Sequence, residues 1–289
     1  MSATAAPAPQ LERIELPQGT ITYRVAGPAD SPYTPVVFVH GLLVDNQLWT
    51  AVADLLALRG IRSYAPVWPL GSHVVAMNAD ADLSPQGIAN LINTLLAALD
   101  LNEVTLVGSD TGGALCQFTI DADHGRIGRL ALTNCDAFDV FPPQEFAGLI
   151  KVGSHPLLLK PLLASLTPVA VRHSQHGYGL MFVGEPDPEL TSSWIHPGLN
   201  DHAIRRDAAK LMSSMRPADL LEVSTRFHTF PKPVDIIWGD ADRCFPLSMA
   251  QRLADAFPDA VLTRVRGGRT FISLDFPEQV ADVISDARG

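Results

Sequence analysis

Cysteine is scarce in this chain. Cys116, Cys135 and Cys244 are the only three in 289 residues, and their spacing fits neither a metal-ligating set nor a paired framework. A disulfide-built scaffold and a cysteine-held zinc site are therefore excluded, and a reducing, cytoplasmic compartment is expected. Positive charge is also short: 21 Lys and Arg, scattered along the chain, stand against 31 Asp and Glu for a net charge of -10. Nucleic acid is not an expected partner of such a surface. No stretch reaches the roughly 18 unbroken apolar residues of a membrane-crossing helix. The opening "MSATAAPAPQ" lacks both the basic start and the apolar run of a secretory signal, so no membrane partner is expected. There is no dinucleotide fingerprint after the first parallel strand and no metal-ligand cluster, so neither a cofactor nor a metal is expected.

With 47% hydrophobic residues, the chain can bury one large core, or a core and a small inserted subdomain. Apolar, β-rich runs alternate with segments of helical period, the pattern of a mostly parallel sheet covered on both faces. The segment from Ile14 to Gly27 predicts an entry hairpin turning at Gln18 and Gly19. "VVFVHG", "RSYAPVW", "EVTLVG" and "IGRLALTNC" predict strands, and the helices between them start at signals such as Ser84 and Pro85 and end at Gly60. From about Asp136 the alternation gives way to helical pieces broken by proline and glycine, and it resumes with "PVDIIWG". The expected organisation is a disordered tail over 1–10, a core over 11–136 and 222–289, and a helical lid over 137–221.

The segment "LVGSDTGGAL" carries the most chemistry. A side chain projecting from a tight strand-to-helix turn into a cleft needs small residues on both sides, and Gly108, Gly112 and Gly113 supply them. The Gly-x-nucleophile-x-Gly spacing fits only with Asp110 at the apex; taking Ser109 instead would require glycines at Val107 and Thr111. The following helix would direct its N-terminal dipole at the apex, which favours an anion there.

With these motifs the chain resembles the α/β-hydrolase superfamily over nearly its whole length. An apex aspartate is similar to the branch of epoxide hydrolases and haloalkane dehalogenases. The resemblance implies an eight-stranded, mostly parallel sheet with helices on both faces and an inserted lid. It places Leu42, after "FVHG", and Thr111 as the two backbone N–H donors of an oxyanion hole. It puts Asp242 of "WGDADRCFP" in the position of the acid, and it matches "SLDFPEQVADVI" to the closing helix. Asp136, after the sixth strand, stands where some members of the branch carry their acid. In that branch a carboxylate attacks carbon and leaves an ester on the enzyme, which a histidine-activated water then cleaves. An apex carboxylate is already ionised at pH 7 and needs no base to attack saturated carbon.

The pattern breaks at one position. Counting back from "DFPE", the histidine position falls on Thr270, and no histidine lies within ten residues of it. A threonine hydroxyl does not titrate near neutrality and cannot take the base's role. His73, His155, His173, His176, His202 and His228 are alternative sources, and converging carboxylates are another. The halide-holding residues of dehalogenases are replaced by Thr111 and Leu42, and of the two lid tyrosines usual in epoxide hydrolases only Tyr178 is present. His40 reads as a buttress beneath the oxyanion loop, and His40, Ser109, Trp68 and Trp194 are candidates for the pocket wall.

The expectation is a hydrolase of a small hydrophobic molecule, epoxide-hydrolase-like, with Asp110 as nucleophile, Asp242 and Asp136 as supporting acids and Tyr178 as proton donor. Two alternatives stay open. One is a lyase, isomerase or cyclase using Asp110 as general acid/base; the other is a non-catalytic small-ligand-binding protein. The expected partner is the small hydrophobic substrate, with homodimerisation left open.

Overall fold

The computed structural model describes residues 11–286; the tail expected over 1–10 lies outside them. The hairpin forms as the sequence predicts, from β1 (Glu12–Leu16) and β2 (Gly19–Ala26). Gly19 turns it at φ 138°, a backbone that L side chains rarely adopt. Then β3 (Val36–Val39) leads through α1 (Thr50–Leu58) to β4 (Ser63–Val67). α2 (Pro85–Ala98) begins at Ser84, whose hydroxyl accepts the Gly87 N–H as an N-cap.

β5 (Val104–Asp110) runs without interruption into α3 (Thr111–Ala122), and β6 (Ile127–Cys135) follows. Helices α4 (Gln144–Gly153), α5 (Pro156–Ser165), α6 (Val169–Arg172), α7 (Pro188–Asn200), α8 (His202–Ser214) and α9 (Pro217–Ser224) fill the segment before β7 (Val234–Gly239). The expected lid boundary at 221 therefore falls inside α9. The chain closes with α10 (Leu247–Ala256), β8 (Ala260–Val265), α11 (Ile272–Asp275) and α12 (Pro277–Ser285).

The eight strands form one sheet in the order β1-β2-β4-β3-β5-β6-β7-β8. Only the first two pairings are antiparallel; from β4 onward all are parallel. β3, β5 and β7 are buried along their whole length, which explains their unbroken apolar runs: a parallel strand covered on both faces has no solvent side to alternate with. In such sheets ligands bind at the carboxyl ends of the strands; Asp110 is the last residue of β5, and Asp136 and Asp242 follow the ends of β6 and β7. No helix among the described residues is long and apolar enough to cross a membrane.

Candidate active site

The apex of the β5–α3 turn is strained. Asp110 has φ 55° and ψ -135°, a combination that costs a non-glycine residue about 1–3 kcal/mol and persists only where the surroundings enforce it. The enforcement is steric. A Cβ on Gly112 would overlap the His40 and Val39 carbonyl oxygens, and one on Gly41 would overlap the Asp110 carboxylate itself. The glycines of the sequence motif thus allow the turn to press against the β3 loop.

The backbone N–H groups of Thr111 and Leu42 lie near the Asp110 carboxylate and ease its charge without reaching hydrogen-bonding geometry. These are the two backbone groups expected as the donors of an oxyanion hole. Burial nevertheless dominates. It pushes Asp110 up to about 7, the nearby Asp242 charge adds to the rise, and the two N–H groups only partly oppose it.

Asp242 closes the arrangement from the loop after β7. Its Oδ1 accepts the Cys244 and Phe245 N–H groups at 2.7 and 3.1 Å, and its Oδ2 accepts the Thr270 hydroxyl at 2.9 Å. Thr270 is fully buried, and its hydroxyl is a side-chain partner of Asp242. Arg269 takes no part in this and donates to the Phe182 carbonyl at 2.7 Å. Burial raises the Asp242 carboxyl, while its two backbone donors and Thr270 pull it back.

Asp136 follows β6, whose register sets Cys135 opposite Asp110. It is fully buried, burial and the Asp110 charge push its carboxyl well up, and neither of its oxygens has a hydrogen-bond partner among the described residues. The Thr111 hydroxyl lies near enough to ease that rise without reaching hydrogen-bonding geometry.

Asp110 and Thr111 open into a cavity of about 60 Å³, several times the space one water needs. The walls are Leu42 and Leu43 of the oxyanion loop, Pro142 and Pro143, and lid residues including Phe146, Leu149, Ile150, Leu166 and Met181. No Lys, Arg or His among the described residues lines it.

Several sequence expectations meet a different geometry here. Tyr178 does line the cavity, but its hydroxyl donates to the Leu43 carbonyl at 2.5 Å, so its one proton is engaged and burial pushes its pKa up. Trp68 and Trp194 are core residues rather than cavity walls: their indole N–H groups donate to the Phe38 carbonyl at 3.0 Å and to Asp45 Oδ1 at 3.0 Å. Ser109 is fully buried and does not line the cavity.

His40 buttresses the loop, with Nδ1 on the Gly41 carbonyl at 2.9 Å and Nε2 accepting the Trp68 N–H at 2.9 Å. Burial lowers its pKa to about 4 and keeps it neutral. None of the other candidate histidines reaches the cavity lining. His73 contacts Asp207 at 3.3 Å and His173 contacts the Thr191 hydroxyl at 2.8 Å, while His155, His176, His202 and His228 are exposed.

Two positioning residues escaped the sequence reading. Asn134 clamps Gly239 at the end of β7, accepting its N–H at 2.7 Å and donating to its carbonyl at 3.1 Å. Gln117 of α3 donates to the Asp136 carbonyl at 2.8 Å. The polar residue inside the apolar run "LALTNC" was the available signal for the first; an amide one helical turn after Gly113 was a faint one for the second.

Comparison with known proteins places this geometry in context. The family model of the alpha/beta hydrolase family matches residues 36–283. An uncharacterised protein of Mycobacterium tuberculosis is 26% identical over 269 residues, covering 91% of this chain and 76% of its own length. Among solved structures, an alpha/beta hydrolase fold protein from Burkholderia ambifaria superposes with a TM-score of 0.77 at 24% identity, covering 96% of this chain and 97% of its own. An ancestral haloalkane dehalogenase gives 0.75 at 18% identity, over 95% of this chain and 97% of its own. A carboxylesterase from Bacillus subtilis gives 0.72 at 17%, over 95% and 90%.

Proposed function

Because the chain belongs to the alpha/beta hydrolase family, we propose that it is a hydrolase whose Asp110 carboxylate attacks saturated carbon of a small, uncharged, hydrophobic electrophile, an epoxide in the first instance, through an ester intermediate. The observation that carries this reading is the buried apex carboxylate itself, with the Leu42 and Thr111 N–H groups near it and an apolar cavity before it. An Asp110 carboxylate oxygen attacks the ring carbon, the carbon–oxygen bond breaks, and its electron pair goes to the ring oxygen, which takes up a proton. The same N–H pair then stabilises the oxyanion formed when water adds to the ester.

A cavity of about 60 Å³ without a cationic wall residue supports a compact neutral substrate and disfavours carboxylates and phosphates, whose charge would be desolvated without a partner. Intact-mass analysis after incubation with a panel of small epoxides and alkyl halides tests the proposal. Turnover, or an adduct mapped to Asp110 and lost in Asp110→Asn, is the expected result. Turnover retained in Asp110→Asn would overturn it.

One observation favours a second reading. A carboxyl raised to about 7 is poised to give and take protons near neutrality, as a lyase, isomerase or cyclase requires. Under that reading Asp110→Asn abolishes turnover, and no adduct forms with any probe.

A further inference from the structure

The reaction above needs a proton at the ring oxygen and later a base for water. The groups expected to supply them are engaged or absent: the Tyr178 hydroxyl is bound to Leu43, and no histidine among the described residues lines the cavity. Asp136 is the site's remaining unused carboxyl. Strand register brings it out beside the apex, one residue past Cys135, which pairs with Asp110. It is fully buried, and both its oxygens lack a donor.

An ionised carboxylate in such a place forgoes every hydrogen bond that water would give it and costs several kcal/mol. The carboxylic acid, carrying its own proton, avoids most of that cost. The groups that act on it are the Asp110 carboxylate and the Thr111 hydroxyl; Cys135 and Cys244 also feel its charge, and Asp242 reaches Asp110 and both of those thiols. No cation is among the groups acting on Asp110 or Asp136, so no positive charge offsets two negative charges side by side.

We infer that Asp136 is the proton carrier of the site, exchanging with the cavity through the hydroxyl of Thr111, a residue that both lines the cavity and acts on Asp136. The inference rests on the reading of Asp110 as nucleophile. Its balance closes with one negative charge throughout. Asp110 carboxylate opens the epoxide to an ester, and the Asp136 acid gives its proton to the freed ring oxygen. As a carboxylate, Asp136 then takes a proton from the water that adds to the ester carbonyl. The alkyl oxygen leaves, and the two protons of that water end on the product hydroxyl and on Asp136, with Asp110 again ionised. Asp136 thereby positions a proton without contacting substrate.

Two probes separate the steps: propylene oxide, whose opening needs a proton, and bromoethane, whose bromide leaves without one. In Asp136→Asn the ratio of propylene oxide opening to bromoethane alkylation should fall about a hundredfold or more relative to wild type. Thr111→Val, which keeps the backbone N–H and loses the hydroxyl, should slow propylene oxide opening more than it slows bromoethane alkylation, so that the ratio of the two rates falls about tenfold or more. An infrared difference spectrum at pH 9, where Asp110 is ionised, should show a protonated carboxyl band in the wild type that Asp136→Asn lacks.

Alkylation by bromoethane also reports an intact site in each variant. If the ratio in Asp136→Asn stays within about threefold of wild type, or the band is missing, the proton-carrier role is overturned while the nucleophile stands. If wild type is alkylated by neither probe, the nucleophile reading fails and takes this role with it.

Discussion

Substituting asparagine for Asp110 should make the protein more stable, and increasingly so as pH rises. The carboxyl moves from its ordinary 3.8 to about 7 on folding. At about 1.4 kcal/mol per pH unit, this penalises the ionised folded state by roughly 4 kcal/mol. The sign follows from proton counts. Between about pH 4 and 7 the folded chain still holds a proton that the unfolded chain has released, so wild-type stability falls as pH rises through that window. Above about 7 the whole cost is present, and below about 4 it vanishes because both states are protonated.

Asp110→Asn is nearly isosteric and does not titrate. Relative to wild type it should gain about 4 kcal/mol at pH 8, or about 8 °C in Tm for a chain of this size, and close to nothing near pH 4. Any change in how the amide meets the Leu42 and Thr111 N–H groups is a pH-independent offset, so the slope is diagnostic. Urea unfolding of both proteins across this range gives it directly. A gain that is flat with pH, or one that grows toward acid, would refute the account of why Asp110 is raised.

Other substitutions probe single contacts. Tyr178→Phe removes a 2.5 Å hydrogen bond to the Leu43 carbonyl and leaves that carbonyl unpaired; a loss of about 1–3 kcal/mol is expected by chemical denaturation, with alkylation of Asp110 unimpaired. Gly41→Ala places a methyl group on the Asp110 carboxylate, so alkylation should be lost even where circular dichroism shows a folded chain. Thr270→Val deletes the hydroxyl that donates to Asp242; the Asp242 carboxyl should rise further, detectable by carboxyl infrared titration, and stability near pH 7 should drop by about 1–3 kcal/mol.

Much of the framework was legible in the chain. The β5–α3 turn lies where "LVGSDTGGAL" puts it, because glycines that permit a turn of this tightness leave few alternative placements. Buried parallel strands also announce themselves as unbroken apolar runs. The site's finer wiring was not legible, since it depends on contacts between distant segments. Nothing local to Tyr178 reveals that its hydroxyl meets a carbonyl 135 residues away, and Trp68 and Trp194 differ from pocket-lining tryptophans only through the acceptors their indoles find. The cavity walls from the lid are ordinary apolar residues at helical spacing, indistinguishable in sequence from core packing. That the Thr270 hydroxyl meets Asp242, 28 residues away, required the fold.

The central claim, that Asp110 is a nucleophile, is tested most directly by where water's oxygen goes. In a single turnover of a small epoxide in water carrying a heavy oxygen isotope, with enzyme in excess, the account predicts the label in the Asp110 carboxylate and not in the product, because water attacks the ester carbonyl. Label appearing in the product in that first turnover, with an unlabelled Asp110, would contradict it.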